Sequence, residues 1–406
     1  LKVEYERHSL SPGQIAWKKF KHNRLGMFGL TVLIFAAVIA ILGANIRPDS
    51  AEHANSQQIS IARKNVGFKV SVIRVERNVS SSGNFFWDGF FFGGLPESYD
   101  LLPIHSVEFS GDSVKGFLYG GAANIRGEPF AYHVVDVSYA VEPQSIARKD
   151  EKSFTAKSID GTPLLLDAKL VRAAAQSDRV GVKRYLLGTD KFGRDMLSRL
   201  MAGTIISLSV GLISVAISLI LGVSLGAVAG YYGGWIDDLI TWLINVIWSI
   251  PTLLLVIAIT FALGKGFTQV FIAVGLTMWV EVARIVRGQM LSAKHLEYVE
   301  AARVLGYNNA RIIVKHILPN ILGPVIVISS ANFASAILLE AGLSFLGIGA
   351  QIPMASWGQM IKEHYAYITT DMAYLAILPG LCILVLVMAF MLIGNALRDS
   401  FDYRVQ

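Results

Sequence analysis

The sequence predicts an α-helical polytopic membrane protein with six spans and an α+β extracytoplasmic insert between spans 1 and 2. Three observations predict it. Of 406 residues, 53% are hydrophobic and only 16% charged, where an ordinary soluble domain carries about 25% charged residues. Several runs reach about 18 or more largely apolar residues, enough to cross the hydrocarbon layer as helix. One long polar stretch, residues 45–185, separates the first run from the rest. Mean hydropathy is +0.50.

Residues 1–24 form a polar, basic segment in which Lys2, Arg7, Lys18, Lys19, Lys21 and Arg24 outnumber Glu4 and Glu6. Positive-inside placement puts this segment in the cytoplasm. Residues 25–44 make the first span, with Trp17 at the interface before it. No small-residue cleavage site follows, so the run reads as a retained anchor. Residues 45–185 then fall outside the cytoplasm and are numerous enough for a small core. Partial alternation predicts strands over 66–75, 104–109 and 132–139. Residues 78–96 read as a packed aromatic loop, and 163–176 as a helix with Pro163 near its first position. His105 and His133 are isolated in sequence, the pattern of core or surface histidines. The net charge of +6 lies beside apolar runs, and no aromatic–basic nucleic-acid module occurs. Cys382, the only cysteine, lies in the last apolar run and leaves no disulfide framework.

Residues 186–400 supply five further spans. Thr189 or Asp190 is expected to cap a helix, with Arg194 and Asp195 either paired to neighbours or solvated. Residues 204–230 form span 2, where Gly222 and Gly226 give a small-xxx-small spacing. A tight turn over 231–238 leads to span 3, residues 239–263, kinked at Pro251. Span 4, residues 267–286, is anchored at its cytoplasmic end by Arg284 and Arg287 and carries Glu281 near that end, as an interfacial carboxylate rather than a buried proton relay. Span 5 covers 321–346 with Asn332 and Glu340 as buried candidates. Glu340 lines a pathway, staples two helices or sits close to the outer interface. Residues 353–368 are external, with Trp357, Tyr365 and Tyr367 as interface anchors. Span 6, residues 372–397, is interrupted at Pro379 and Gly380. The tail, 401–406, returns to the cytoplasm, so both termini lie inside.

A cytoplasmic loop at 287–320 organises this core. Its stretch 297–320 is polar and basic between two apolar runs, yet patterned as helix, break, helix. Gly306 supplies the break and Asn308 or Asn309 the cap. Val299, Ala302 and Leu305 share one predicted face, and Glu297, Glu300 and Arg303 lie towards another. The expectation is a short helix–turn–helix that docks something at the membrane surface. The chain has no phosphate-binding loop, nucleophile elbow or zinc-protease motif of its own.

These residues carry a resemblance. Glu300-Ala301-Ala302, Gly306 and Ile317-Leu318-Pro319-Asn320 resemble the cytoplasmic coupling motif of bacterial ATP-driven importers, with His316 where the general pattern has Ile. Leu187-Gly188-Thr189-Asp190 continuing to Gly193-Arg194-Asp195 is a second signature. Glu340-Ala341-Gly342-Leu343-Ser344-Phe345-Leu346-Gly347, then Pro353 and Ser356-Trp357-Gly358, is a third, and Ser249-Ile250-Pro251 also matches. The chain is similar to the C-type (second) permease subunit of the oligopeptide/dipeptide/nickel ABC importer family, loosely over 15–45 and closely over 185–400.

The resemblance implies a type I ABC importer transmembrane fold in a bacterial inner membrane, with no catalytic residue, cofactor or metal of the chain's own. ATP and Mg would be used by two ATP-binding cassette subunits. A homologous permease subunit would share the pathway, and an extracytoplasmic peptide-binding protein would deliver cargo. It implies ATPase coupling through Glu300, Ala301, Ala302, Gly306, Leu318 and Pro319. Gly188, Thr189, Asp190, Gly193, Arg194, Asp195, Pro251, Glu340, Gly342 and Trp357 are structural signature residues. The 45–185 insert departs from the family's shorter connection. It either contacts a receptor or substrate, or caps the pore as a scaffold. Nickel or a specialised peptide-like compound is the alternative cargo. A non-transport scaffold is the alternative class. A proton-coupled transporter would show mid-membrane ionisable residues and inverted repeats, and neither is clear here.

Overall fold

The computed structural model describes residues 12–78, 98–142, 144–264 and 266–401. Lys2, Arg7, most of the aromatic loop 78–96, and the tail including Arg404 lie outside them. In chain order, α1 (Pro12–His22) and α2 (Arg24–Ile46) come first. The strands β1 (Phe68–Glu76), β2 (Tyr99–Ser110), β3 (Ser113–Tyr119) and β4 (Arg126–His133) follow. Then come α3 (Val134–Ser138), β5 (Ala147–Arg148), β6 (Ser153–Lys157), β7 (Pro163–Asp167), α4 (Ala168–Ser177) and β8 (Val180–Tyr185). The remaining helices are α5 (Met196–Tyr232), α6 (Gly234–Trp248), α7 (Thr252–Leu263), α8 (Phe267–Ala293), α9 (Glu297–Val304), α10 (Leu322–Leu346), α11 (Trp357–His364) and α12 (Tyr374–Phe401). Helical turns over Asn309–Arg311, Ile312–Ile317 and Leu318–Ile321 run directly into α10.

Among the described residues five helices are long and apolar enough to cross a membrane, and α6 with α7 makes a sixth if that pair is one span. The pair corrects the kinked third span: its halves are bent by 94°. Pro251 has no N–H for the helical ladder and biases its predecessor away from helix, so the chain stops at Trp248 and restarts at Thr252. The predicted turn over 231–238 shrinks to Gly233 and Gly234, whose φ angles of +69° and +57° break the chain between two helices.

The chain divides into two compact units. The first comprises Leu1–Ala40, Gly203–Tyr365 and Ala376–Gln406. Its central seam joins α5 to α8. A Cβ at Gly222 would stand 2.7 Å from the Trp279 carbonyl oxygen, and one at Gly230 2.7 Å from that of Arg287. Gly226, between them, faces the Ala283 carbonyl. The four-residue spacing of these glycines keeps one bare helix face against α8. Beside the seam, Arg287 of α8 grips Asp237 of α6 through two nitrogens, at 2.5 and 2.7 Å. Elsewhere Gly26 and Gly29 of α2 lie against Ala396 and Ala389 of α12, with Phe20 of α1 buried beside Ile393 and Ala396.

The second unit comprises Ile41–Ala202 and Ala366–Leu375. Its larger sheet has the order β4-β3-β2-β1-β8, antiparallel at every junction, and β5-β6-β7 forms a smaller one. Strand β1 alternates in two directions. Val70 and Val72 pack with Ile61, Tyr119 and Tyr185, while Ile73 and Val75 join a core with Val114, Phe154 and Val171. The sheet is therefore covered on both faces, as the period of two requires. Two predicted elements are corrected here. The strand expected over 132–139 ends at His133, whose Nδ1 accepts the Val135 N–H at 3.3 Å to start α3. Val134, Val135 and Val137 are all buried, which a helical turn in the core permits and a one-sided strand does not. The helix expected over 163–176 begins only after Asp167, whose Oδ1 accepts from Lys169 and Leu170 at 2.8 and 3.1 Å. Pro163 instead opens strand β7, paired with Lys157.

Candidate functional site

The coupling stretch folds as a helix closed by a left-handed cap. Glu297 and Glu300 occupy the first turn of α9 and Arg303 the last, matching the helix dipole. Gly306 has φ +76°, its N–H donates to Arg303 O at 2.9 Å, and Tyr307 N–H donates to Ala302 O at 3.2 Å. That pair of bonds is the Schellman pattern, and only the absence of a Cβ makes it inexpensive at 306. Asn308 then starts the next helical turn by accepting the Arg311 N–H at 2.8 Å.

One face of α9 is sunk into the helix ends. Val299 and Ala302 are buried with Tyr231, Val286, Met290 and Ile317, and Leu318 packs against the same cluster. Polar contacts fix the orientation. Tyr231 donates its hydroxyl to Asn309 Oδ1 at 2.9 Å, and the Arg303 guanidinium lies 5.6 Å above the Tyr231 ring. The Tyr307 ring stacks with that of His316, centroids 5.5 Å apart, and the Arg311 guanidinium lies 4.0 Å from its centroid. A π-helical turn at Ile312–Ile317 and a 3₁₀ turn at Leu318–Ile321 re-aim the chain into α10, with Pro319 exposed.

The outer face is free of the other described residues. Glu300, Ala301 and Gly306 are exposed, and Val304 and Leu305 are 88% and 69% exposed. Leu305 corrects the predicted inward face: it is the C-cap, where helical periodicity has ended. Sequence reasoning passed over Val304, Tyr231 and the Tyr307 stack. Tyr307 and Arg311, one turn apart, were the available signal.

The Gly188–Asp195 signature is a stitched turn in the second unit. Thr189 Oγ1 donates to Ile61 O and accepts the Lys64 N–H at 2.9 Å. Asp190 accepts from the N–H of Phe192 and Arg194 at 2.8 and 2.9 Å and pairs with the Arg194 guanidinium. Both partners of that pair are buried, so the solvated alternative is excluded. The helix cap is Asp195, correcting Thr189 or Asp190: its Oδ1 accepts the Ser198 N–H at 2.8 Å. Gly193, at φ +75°, passes against the Gln58 carbonyl where no side chain fits.

Asp195 Oδ2 is buried without a hydrogen-bond partner among the described residues. Burial pushes this carboxyl above its ordinary range, opposed by Ser198 and Lys183. The raised folded-state value means that stability is fully present below the unfolded pKa and is lost as pH rises through the folded one. Asp195→Asn keeps a cap acceptor and removes the charge. Its melting temperature is expected to exceed that of the native protein near about pH 7, with the gap closing towards about pH 4, the ordinary carboxylate range. Thermal melts across that range check this, and a gap independent of pH contradicts it.

The third signature closes α10 onto α11 in the first unit. Glu340 Oε1 accepts from Ser344 at 2.6 Å and Ser356 at 2.8 Å, and Ser356 also caps α11. This geometry is that of the staple. Trp357, expected as an interface anchor, is instead 3% exposed and fills the space beside Gly203. Tyr365 does stand exposed. Asn332 is buried with both side-chain polar atoms unpartnered among the described residues. Gly342 borders open space, and Pro251 sits at the α6–α7 elbow.

A polytopic helical core with a short helix seated between two long apolar helices defines a multi-span membrane protein. Comparison makes the class specific. Residues 222–406 match the family described as "Binding-protein-dependent transport system inner membrane component", and residues 11–65 match "N-terminal TM domain of oligopeptide transport permease C". The dipeptide transport system permease protein DppC of Alkalihalophilus pseudofirmus is 41% identical over 222 residues, covering 55% of this chain and 73% of that protein. The glutathione transport system permease protein GsiD of Pectobacterium atrosepticum is 41% identical over 225 residues, covering 55% and 73%. A solved inward-facing structure of the MetNI methionine ABC transporter aligns over 51% of this chain and 98% of that chain, at 20% identity and a TM-score of 0.43.

The chain belongs to the C-type permease subunits of the bacterial oligopeptide/dipeptide/nickel-type ABC importers. It is a multi-pass inner-membrane permease subunit and not itself an enzyme. Residues 66–221 lie outside both family matches.

Proposed function

We propose that this chain forms one wall of the pathway of an ATP-driven peptide importer and is driven through α9. The carrying observation is the two-sided character of that helix: Val299 and Ala302 are locked into the helix ends, while Val304 and Leu305 stand exposed. An apolar pair held outward on a rigid base suits a partner's groove. The small side chain at Ala301 lets that partner approach closely. Glu300, Ala301, Ala302 and Gly306 then transmit force from an ATP-binding cassette subunit, and Leu318 and Pro319 join the helix to α10.

The remaining partners are a homologous permease across the pathway, a second ATP-hydrolysing subunit using ATP and Mg, and an extracytoplasmic peptide-binding protein. The names of the dipeptide and glutathione permeases support peptide cargo. Both termini lie in the cytoplasm, with the insert outside, when α6 and α7 count as one crossing. Lys18, Lys19, Lys21, Arg284 and Arg287 then share the cytoplasmic side.

The test is ATP hydrolysis by the complex reconstituted in lipid, with and without receptor and a peptide mixture. Receptor-and-peptide stimulation is expected. A chain that associates with no ATP-hydrolysing subunit would refute the reading.

A further inference from the structure

Residue Glu281 stands in a position that the coupling reading leaves unused. It is the fifteenth of the 27 residues of α8, well inside the helix, because α8 runs on to Ala293 instead of ending near Val286. Its side chain is exposed and has no hydrogen-bond or ion-pair partner among the described residues. Nor does it face a flat surface. It lines an open recess of about 470 Å³ walled by the end of α6, the elbow, α7, α8 and α10. That volume falls within the roughly 300–1,000 Å³ of small-ligand sites.

The rest of the lining is mostly apolar, with four polar or aromatic features: the Trp248 ring and the hydroxyls of Thr252, Thr277 and Ser335. Thr277 spends its proton on the Val274 carbonyl, at 2.8 Å. Arg284, one turn beyond Glu281, makes no ion pair with it among the described residues; its guanidinium lies 3.3 Å from the Trp248 ring centroid. Ser335 is the fourteenth of the 25 residues of α10, so the cavity sits midway along both long helices.

An unpaired carboxylate lining a mostly apolar recess is costly unless something complementary meets it, and such residues mark ligand pathways. The available complement is a cation of small size, since one carboxylate with the Thr252 and Ser335 hydroxyls beside it suits an ammonium group. We propose that Glu281 receives the protonated amine of the cargo as it crosses, so that this cavity is an amine-recognition subsite. The inference rests on the importer reading and deepens it by naming the charged group that the pathway reads.

Complexes carrying the native chain, E281Q or E281D are reconstituted with the same receptor, and uptake of trialanine and of N-acetyl-trialanine is compared. E281Q is expected to lower the preference for the free amine by about tenfold, the order of one charge-assisted hydrogen bond. Uptake of the acetylated peptide should stay unchanged, and E281D should restore part of the preference. An unchanged preference overturns the proposal. So does equal loss of both activities, or dissociation of the complex, which would assign Glu281 to a subunit interface.

If the native complex imports neither peptide, the peptide-importer reading fails by itself. The subsite is then read by calorimetric binding of hexylammonium and hexanol to the solubilised complex. A preference for the cation that E281Q abolishes upholds it, and equal binding of the two overturns it.

Discussion

Valine in place of Gly306 is expected to leave the chain folded in the membrane while transport and receptor-stimulated ATP hydrolysis fall by about tenfold or more, equivalent to about 1.4 kcal/mol of lost coupling. No heavy atom lies near enough to clash with an added Cβ, so the effect is not steric crowding. It comes from the backbone. At φ +76° an L-residue costs about 1–2 kcal/mol, and a β-branched one more. Relief of that strain opens the Tyr307–Ala302 bond and lets the tip holding Val304 and Leu305 swing away. The series Asn, Ala, Val should therefore lose activity in that order, since Asn tolerates the left-handed region best. Transport and ATPase assays on each variant, normalised to membrane-inserted protein, measure it. Full activity in the valine variant would remove α9 from the coupling role.

The second large effect is expected at the glycine seam. Leucine at Gly226 must displace the α8 backbone at Ala283 and the Val286 side chain. Overpacking costs about 1–3 kcal/mol where a core can adjust, and here the obstacle is a carbonyl of a packed helix. The same separation would strain the Arg287–Asp237 grip and the Val286–Met290 floor beneath α9. Lower yield of folded protein and a fall in melting temperature are therefore expected. Ala at Gly226 should be milder, and leucine at exposed Ser224 on the same helix almost neutral. Thermal melts of the purified variants decide it: equal stability of the Gly226 and Ser224 leucine variants would show that the seam is not tight.

Much of this was legible in the chain. Apolar run length located the long helices, and Gly222 with Gly226 pointed to the seam because a four-residue spacing repeats on one helix face. Gly306 and Asn308 announced the cap because each has one preferred backbone role. What failed, failed for tertiary reasons. Leu305 is apolar and in phase with Val299 and Ala302, but the helix stops before it, so phase no longer decides its burial. Pro163 suits a helix start as well as a strand start, and only pairing with Lys157 chose the strand. Glu340 finds one partner a turn away in Ser344, but the other, Ser356, lies beyond the loop that returns the chain to it. Trp357 reads as an interface residue because its type favours interfaces, while the bare Gly203 made room to bury it.

The pairing of β1 with β8 has a consequence for how such a chain could arise. Phe68, the first residue of β1, lies directly opposite Tyr185, the last of β8. Everything between them leaves and returns through two neighbouring points about 5 Å apart, the ordinary separation of paired strands. The segment behaves as a cassette: its removal leaves two chain ends that a tight turn can rejoin, and its insertion asks little of the host. A permease core with a short first connection could therefore acquire or lose this whole sheet domain in one genetic event without redesign of its helices.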